Sequence, residues 1–146
     1  MIQSLAYYTT LLKKDFTEYC YNQLLEMDLS QGLLFYVLYI GKHPHCSPKE
    51  LTQALHMDTG HTTRSLAKLE QSGFIKQDTN SQDKRARILS LTRKGEQAFQ
   101  ASHQLFFQWD KEIMKDLSQQ EQAQLLSLLE KLAHKKEKPH CVRNNQ

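Results

Sequence analysis

Residues 47–74, SPKELTQALHMDTGHTTRSLAKLEQSGF, are the most informative segment for the fold, because they contain two helix starts separated by a tight turn. Ser47 and Glu50 have the spacing of a capping box, in which each side chain accepts a hydrogen bond from the backbone N–H of the other residue. Pro48 stands at the first helical position, where its missing N–H is not needed. These signals predict a short helix that runs to about His56.

A second, longer helix follows after only a few residues. Asp58 or Thr59 can cap its start, and Gly73 closes it. Leu66 and Leu69 are expected to point inward, while polar residues repeat at helical spacing on another face. A short helix, a tight turn and a longer helix with a polar face are typical of a helix-turn-helix motif.

The periodicity then changes from helix to strand. Residues 74–77 (FIKQ) and 85–91 (RARILSL) have the pattern of two strands, and the DTNSQDK segment between them is rich in turn-forming residues and has no apolar one. These signals predict a hairpin directly after the helix-turn-helix. A hairpin in that position is the wing of a winged helix.

Two helices are predicted before this segment. Residues 2–27 have an apolar stripe at steps of three and four. The next helix begins at Ser30, whose hydroxyl can accept a hydrogen bond from the first turn, and Gly41 with Pro44 ends it. Residues 33–40 are apolar all round, which predicts that this helix is buried.

Two further helices are predicted after the hairpin. Thr92 can cap a long helix that reaches about Asp116, and Ser118 with Glu121 forms another capping box at the start of the last helix. The element order is therefore α-α-α-α-β-β-α-α. The predicted fold class is mainly α, with a small β-hairpin wing.

The apolar faces of the first and last helices are too extensive for one small winged helix to bury, so we expect a dimer. We assign residues 30–96 to the winged helix-turn-helix DNA-binding region, residues 1–29 and 97–135 to a helical dimerisation region, and residues 136–146 to a disordered tail. The residues expected to bury dimer or core surface are Leu5, Leu12, Phe16, Trp109, Leu126 and Leu129.

Composition limits the alternatives. Residues 42–96 carry ten Lys and Arg against six Asp and Glu, a local net charge of +4, which is a common footprint of nucleic-acid binding. Three widely spaced cysteines predict reduced thiols in a cytoplasmic protein. The longest apolar run, residues 33–40, is too short to cross a membrane, and no signal peptide is visible. No phosphate-binding loop, nucleophile elbow or carboxylate pair indicates an enzyme, and no cofactor is expected.

The wing carries the most specific family pattern. Asp83, Arg85 and LSLT (residues 89–92) match D-x-R-x-x-x-φ-x-L-T, where φ is apolar. The segments DTGHTTR (58–64), LAKLEQSGFIKQ (66–77) and LTRKGE (91–96) match the start and end of a recognition helix and the start of the long helix. Over about residues 5–135 the chain resembles the MarR family of bacterial winged helix-turn-helix transcription regulators.

This resemblance implies a homodimer whose terminal helices interlock and that binds a pseudo-palindromic operator in double-stranded DNA. It also implies repression that is relieved by a small ligand, by oxidation or by a metal. A recognition helix fits the major groove, where base edges differ in their donors and acceptors. The helix residues expected to be exposed to DNA are Thr59, Gly60, His61, Thr62, Thr63, Arg64, Ser65 and Lys68.

Arg64 is the candidate for a bidentate guanine contact, and Ser47 and Lys49 are further phosphate candidates. In the wing, Arg85 is expected in the minor groove and Lys84 and Arg87 at phosphates, while Asp83 would orient an arginine or close the turn. The alternatives are a solvated polar helix face and an exposed strand arginine at Arg87. Taken by itself, the basic segment of residues 83–96 is also compatible with a targeting signal or a loose tail.

Three sensors are compatible with the residues. His43, His45 and Cys46 could hold zinc or copper, although no fourth ligand is apparent. Oxidation could act through Cys20 or Cys46, and a buried, inert thiol is the default for Cys20, which comes too late in its helix to match the family's peroxide-sensing branch. A small aromatic effector could instead bind in a cleft; its lining would be Tyr8, Phe16, Tyr36, Tyr39 and His43.

A rival hypothesis is a winged helix that serves as a protein-interaction module and binds no DNA. Its basic wing would then be incidental. The two hypotheses differ in whether the chain binds operator DNA with the salt dependence that phosphate contacts produce.

Overall fold

A computed structural model describes residues 2–80, 82 and 86–134. Within these residues the chain forms six helices and one antiparallel hairpin, in the order that the sequence predicts. The elements are α1 (Leu5–Glu26), α2 (Gln31–Lys42), α3 (Pro48–Ala54), α4 (Thr59–Gln71), β1 (Ile75–Thr79), β2 (Arg87–Leu91), α5 (Arg93–Ile113) and α6 (Gln119–His134).

The chain divides between Trp109 and Asp110 into two compact units. The first unit contains α1 to α4, the hairpin and most of α5, and the second contains α6. The assignment of separate DNA-binding and dimerisation regions stays a prediction. The predicted tail, residues 136–146, lies outside the described residues.

Helix α2 lies at the centre of the first unit. Its side chains pack against residues of α3, α4 and the hairpin. Four side chains of α2 are almost completely buried: Leu34, Tyr36, Val37 and Ile40. The prediction that residues 33–40 are buried is confirmed for Leu34, Tyr36, Val37, Leu38 and Ile40, whereas Leu33 and Tyr39 are half-buried and Phe35 is exposed. The other large, fully buried side chains of this core are Leu51, Leu69, Phe74, Ile75 and Leu89.

Gly41 does not end α2 as predicted, because the helix continues to Lys42. A Cβ atom at position 41 would overlap the Phe99 ring. The glycine therefore has a packing role, since it allows the aromatic ring of α5 to lie directly against the backbone of α2.

The start signals of α3 and α4 act as predicted. The Glu50 N–H donates to the Ser47 hydroxyl (3.1 Å) and the Ser47 N–H donates to the Glu50 carboxylate (3.4 Å), which completes the capping box. Asp58 caps α4 by accepting from the His61 N–H at 2.7 Å. Ser30 stands at the N-cap of α2, but its side chain makes no capping hydrogen bond, so that part of the prediction is wrong.

The hairpin is a two-stranded sheet in which Ile75 pairs with Leu91 and Thr79 pairs with Arg87. The loop before α3 is hydrogen-bonded to β2. The His45 N–H donates to the Leu89 carbonyl (3.1 Å), and the Leu89 N–H donates to the Cys46 carbonyl (2.8 Å). The loop is thereby tied to β2, and the Cys46 side chain is buried in the core.

The start of α5 is tied to the end of α4. The Thr92 N–H donates to the Phe74 carbonyl at 3.0 Å, and the Thr92 hydroxyl accepts from the Gly95 N–H at 3.1 Å, as predicted for a cap. The Lys94 ammonium donates to the Ser72 carbonyl at the end of α4 (2.8 Å). Helices α4 and α5 are therefore joined by side-chain as well as backbone contacts.

In the second unit, α6 begins with the predicted capping box. The Ser118 N–H donates to the Glu121 carboxylate (2.9 Å), and the Glu121 N–H donates to the Ser118 hydroxyl (3.1 Å). The capping contacts lower the pKa of the Glu121 carboxyl. The leucines of this helix are exposed; they are Leu125, Leu126, Leu128, Leu129 and Leu132.

Candidate nucleic-acid interface

The outer face of α4 is the first part of the candidate interface. Most of the residues predicted to read DNA are exposed there: Thr59, Gly60, His61, Thr63, Arg64 and Lys68. A Cβ atom at Gly60 would come within 3.3 Å of both the Arg64 guanidinium and the Asp58 carboxylate. Glycine therefore leaves room for the cap and for the arginine at the helix start.

Two predicted contact residues are not on this face. Thr62 is 1% exposed and Ser65 is 6% exposed, so the expectation that they are exposed is wrong. The reason is helical geometry: positions 62, 65 and 69 lie within about one sixth of a turn of each other, and Leu69 faces the core. The Thr62 hydroxyl has no hydrogen-bond partner within the described residues.

A concave surface of about 600 Å³ joins α3, α4 and the hairpin. It brings together four of the predicted DNA-contact residues, which come from three separate parts of the fold. The Arg87 guanidinium donates to the Gln77 amide oxygen at 3.1 Å, which positions the arginine on the hairpin. The lining residues are Ser47, Pro48, Lys49, Thr63, Leu66, Ala67, Gln77, Ala86 and Arg87.

A smaller concavity of about 290 Å³ lies between α4 and the start of α2. Its lining includes His61, Arg64 and Lys68 on α4 and Ser30 at the start of α2. The His61 imidazole is also linked to the core, because its Nδ1 lies 2.9 Å from the hydroxyl of the buried Tyr36. The recognition helix thus has one concave surface on each flank, and predicted contact residues line both.

The outer surface of α4 and its neighbouring elements carries four exposed basic residues. Lys49, Arg64, Lys68 and Arg87 are exposed, and none of them forms an ion pair with any residue that the structure describes. Cations without a protein partner leave a positive potential that attracts phosphate groups.

The wing tip, which contains the predicted contacts Lys84 and Arg85 and the structural Asp83, lies outside the described residues. The roles given to these three residues stay predictions. The base of the turn is described: the Asn80 N–H donates to the Ala86 carbonyl at 2.8 Å.

A metal sensor at His43, His45 and Cys46, one of the three possibilities left open by the sequence, finds no support in the part of the chain that the structure covers, where no group of three or more possible ligands is present. The His43 ring stacks on Tyr39, with ring centroids 4.2 Å apart, and its Nδ1 lies 3.2 Å from the carbonyl oxygen of Tyr39. Cys46 is buried, while His45 is exposed. The three residues are close in sequence, but their side chains lie in three different environments.

The two described cysteines have the environment of inert thiols. Burial raises the pKa of the Cys20 thiol to about 11. Burial, together with the nearby negative charge of Glu50, raises the pKa of the Cys46 thiol to about 11. A reactive cysteine needs the opposite shift, because the thiolate is the nucleophile. The default prediction for Cys20, a buried and inert thiol, agrees with this environment.

The five residues predicted to line an aromatic cleft take part in separate contacts. Phe16 packs edge-on against Phe106 and Trp109, with centroids 5.3 and 5.0 Å apart. Tyr36 contacts His61, Tyr39 stacks on His43, and Tyr8 packs against Tyr7. Because α1 and α2 direct these rings to different neighbours, the structure does not bring them together in one cavity.

A different cavity, of about 500 Å³, lies between α1, the start of α2 and α4. Its walls come from the second half of α1, the turn after it and the start of α2, and Lys68 is added from α4, a contact that no local sequence pattern predicts. Gln77 was not among the predicted site residues either; it pairs with Leu89 and reaches Arg87 as a diagonal cross-strand neighbour. The cavity is lined by Thr17, Tyr21, Leu24, Leu25, Asp28, Leu29, Ser30, Gln31, Leu33 and Lys68.

A helix-turn-helix followed by a hairpin wing, with exposed cations on both elements, defines a winged-helix DNA-binding protein. The chain belongs to the MarR family. The model of that family matches residues 29–86. The HTH-type transcriptional regulator BilQ of Clostridium symbiosum (strain WAL-14163) is 45% identical over 143 residues, which covers 98% of this chain and 99% of that protein.

Two further comparisons agree. BilQ of Clostridioides difficile (strain CD3) is 37% identical over 127 residues, covering 87% of this chain and 86% of that protein. The crystal structure of a mutant MarR from E. coli complexed with operator DNA superposes with a TM-score of 0.77 at 27% identity, covering 88% of this chain and 92% of that one. The chain is thus a MarR-family transcriptional regulator with a DNA-binding winged helix, and not an enzyme.

None of the described helices is both long and apolar enough to span a membrane. The cytoplasmic location stays a prediction.

Proposed function

We propose that the protein is a homodimeric repressor that binds a pseudo-palindromic operator and is released from it by a small ligand. The observation that carries the proposal is a set of four exposed cations in and around the recognition helix that form no ion pair with any described residue: Lys49, Arg64, Lys68 and Arg87. A solvated polar helix face would not need matching charges on the neighbouring elements.

In this proposal the exposed face of α4 enters the major groove. Arg64, one turn into the helix, donates to a guanine edge, while Thr59 and Thr63 contact bases or phosphates. Lys49 and Arg87, on either side of the larger concavity, meet the phosphates that flank the groove. Beyond the described residues, Arg85 would extend into the minor groove.

The dimer would cover the apolar side chains that the single chain leaves exposed. On α1 these include Leu5, Leu11 and Leu12, and on α6 they include Leu126 and Leu129. Several exposed apolar side chains on one helix mark a protein–protein interface. Two recognition helices would then lie about one DNA turn, roughly 34 Å, apart.

The 500 Å³ cavity is our proposed site for the releasing ligand. Its lining includes the leucines Leu24, Leu25 and Leu33 and one residue of the recognition helix, Lys68. A small aromatic carboxylate suits this lining and would contact α4 directly. With benzoate as the probe, we expect shifts in the amide NMR signals of Leu33 and Lys68; unchanged signals at millimolar benzoate would contradict this choice of site.

A fluorescence anisotropy titration with DNA from upstream of the protein's own gene tests the main proposal. We expect tight binding that weakens steeply with salt, and we expect Arg64→Ala to weaken it by about 1–3 kcal/mol. Lys13→Ala, which removes an exposed cation from α1, is the matched control and should bind like the wild type. Absent or salt-insensitive binding would instead favour the protein-interaction module.

A further inference from the structure

His61 has two ring nitrogens in different surroundings. Nδ1 lies 2.9 Å from the Tyr36 hydroxyl and 3.5 Å from the Ser65 hydroxyl, which is at the limit of hydrogen-bond distance. Nε2 has no hydrogen-bond partner within the described residues. Since His61 is exposed and Tyr36 is completely buried, one nitrogen is linked to the core and the other is free for an external partner.

The surroundings of the Tyr36 hydroxyl favour one tautomer of His61. A phenol hydroxyl can donate to Nδ1 or accept from it, but if it only accepts, its own hydrogen is buried without an acceptor, because within the described residues His61 is the only partner of the Tyr36 hydroxyl. When this hydroxyl donates, Nδ1 must be the acceptor, so the proton of a neutral imidazole lies on Nε2. The exposed nitrogen is then a hydrogen-bond donor.

We propose that Tyr36 is a positioning residue for DNA recognition, which holds His61 as an Nε2–H donor aimed at an acceptor on a base edge. This inference rests on the proposed function, because it places α4 in the major groove. It assigns a role in specificity to a core side chain that touches no DNA.

The backbone of His61 is fixed as well as its ring. Its N–H donates to the Asp58 carboxylate at 2.7 Å, as part of the helix cap. With the ring linked to Tyr36 on one side and the backbone to Asp58 on the other, the side chain loses little further freedom when it binds. Such preorganisation favours affinity, because the entropy loss has already occurred during folding.

A donor at this position discriminates between bases. In the major groove, guanine presents N7 and O6 and thymine presents O4 as acceptors, whereas the cytosine amino group is a donor. An Nε2–H donor is therefore expected to prefer an acceptor at one position of each half-site. An imidazole that is free to exchange its tautomers could form a hydrogen bond with either a donor or an acceptor on a base edge.

The tautomer can be measured in the free protein by long-range ¹H–¹⁵N NMR of the imidazole at about pH 8, where an ordinary histidine is neutral. We expect the Nε2–H form for His61 in the wild type and a mixture of tautomers in Tyr36→Phe. Tyr19→Phe is the control, since Tyr19 packs against the same core and its hydroxyl has no described partner. The Nδ1–H form in the wild type, or an unchanged tautomer in Tyr36→Phe, would overturn the proposal.

Operator binding provides the second measurement. We expect Tyr36→Phe to weaken binding by about 2- to 10-fold, and His61→Ala by about 5- to 100-fold. The double variant should bind no worse than His61→Ala alone, because Tyr36 acts through His61. Both single variants should lose the same base preference when each half-site position is substituted in turn.

The two measurements separate the two proposals. If the wild type binds no DNA, the proposed function fails, and with it the inferred role in recognition, whatever the tautomer. If the wild type binds and Tyr36→Phe retains both affinity and base preference, only the role of Tyr36 fails. Circular dichroism of Tyr36→Phe identifies a variant that has merely unfolded. If Tyr36→Phe loses its fold, Ser65→Ala and His61→Ala still test whether the base preference depends on the imidazole.

Discussion

The apolar side chains of the winged helix and those of the terminal helices have opposite fates. In α2 to β2 the large leucines and aromatic residues are mostly buried within one chain. In α1 and α6 they are largely exposed: Leu5 is 57% exposed and Leu126 is 52% exposed. The same helical spacing of leucines therefore produces a buried core in the winged helix and an exposed apolar surface on the terminal helices. The winged helix has its own core, whereas the terminal helices need another surface.

Helix α1 shows this difference within a single element. Near its end, Cys20 and Leu24 are buried against the core, while the apolar residues near its start are exposed. Covering the exposed part is the role that our proposal gives to a second copy of the chain.

The largest expected effect comes from placing a charge on the exposed face of α6. In Leu126→Asp we expect the homodimer to dissociate, because an interface buries charge unfavourably. Since the two half-sites then bind independently, operator affinity should fall by about 100-fold or more. Sedimentation equilibrium and anisotropy titration measure the two effects.

Ser127→Asp is the control for this experiment. Ser127 lies on the same helix, on the side opposite the leucines, and is exposed. It should remain dimeric and bind operator normally. If Leu126→Asp also remains dimeric, the exposed leucines do not form the dimer interface.

An intermediate effect is expected at the joint between α4 and α5. In Gly95→Ala the added Cβ would overlap the Phe74 carbonyl oxygen, so the backbone must move. We expect the free energy of unfolding to fall by about 1–3 kcal/mol, the usual result of overpacking. Urea denaturation measures this change.

Gly32→Ala is the matched substitution, because a Cβ at that position meets no atom within 4 Å. It should leave stability unchanged or raise it by up to about 1 kcal/mol, since alanine favours helix. Equal stability of the two variants would show that the end of α4 and the start of α5 are not closely packed.

The smallest effect is expected from oxidants. With a thiol pKa of about 11 against an ordinary 9.0, Cys20 and Cys46 should have a thiolate fraction about 100-fold lower than a free cysteine near neutral pH. Hydrogen peroxide should therefore leave operator binding unchanged in a Cys141→Ser background, which removes the cysteine that lies outside the described residues.

The pH dependence of stability that the two buried thiols produce has a defined sign. Because folding favours the neutral thiols, their contribution to stability is complete below about pH 9 and is lost as the pH rises through about 11. Iodoacetamide labelling of the native protein should accelerate over the same range. Rapid labelling at neutral pH without unfolding would show that the thiols are reactive.

Much of the fold was predictable because its signals are local. Capping boxes at Ser47 and Ser118, the Asp58 cap and the change of periodicity after Phe74 depend only on neighbouring residues. Their order along the chain was enough to predict a winged helix. Most of the residues on the exposed face of α4 also followed from helical spacing.

The wrong predictions share a physical cause: the direction in which a side chain points, and the residues that it contacts, depend on how the elements pack. A polar residue such as Thr62 or Ser65 was expected at the surface, yet the core covers that side of α4. His43 and Cys46 looked like metal ligands because they are close in sequence, but the loop that is tied to β2 separates their side chains. Phe35 was expected to be buried and is exposed.

The elements, their order and the resemblance to the family were predictable from the amino-acid sequence, because caps, turns and periodicities are properties of short segments. The contacts between side chains of different elements were not predictable and follow from the packing of the folded chain. This packing brought Lys49, Thr63 and Arg87 to one concave surface and placed the Tyr36 hydroxyl beside His61. Such contacts depend on how α2, α4 and the hairpin pack around one core, and no local pattern records the distance between residues on different elements.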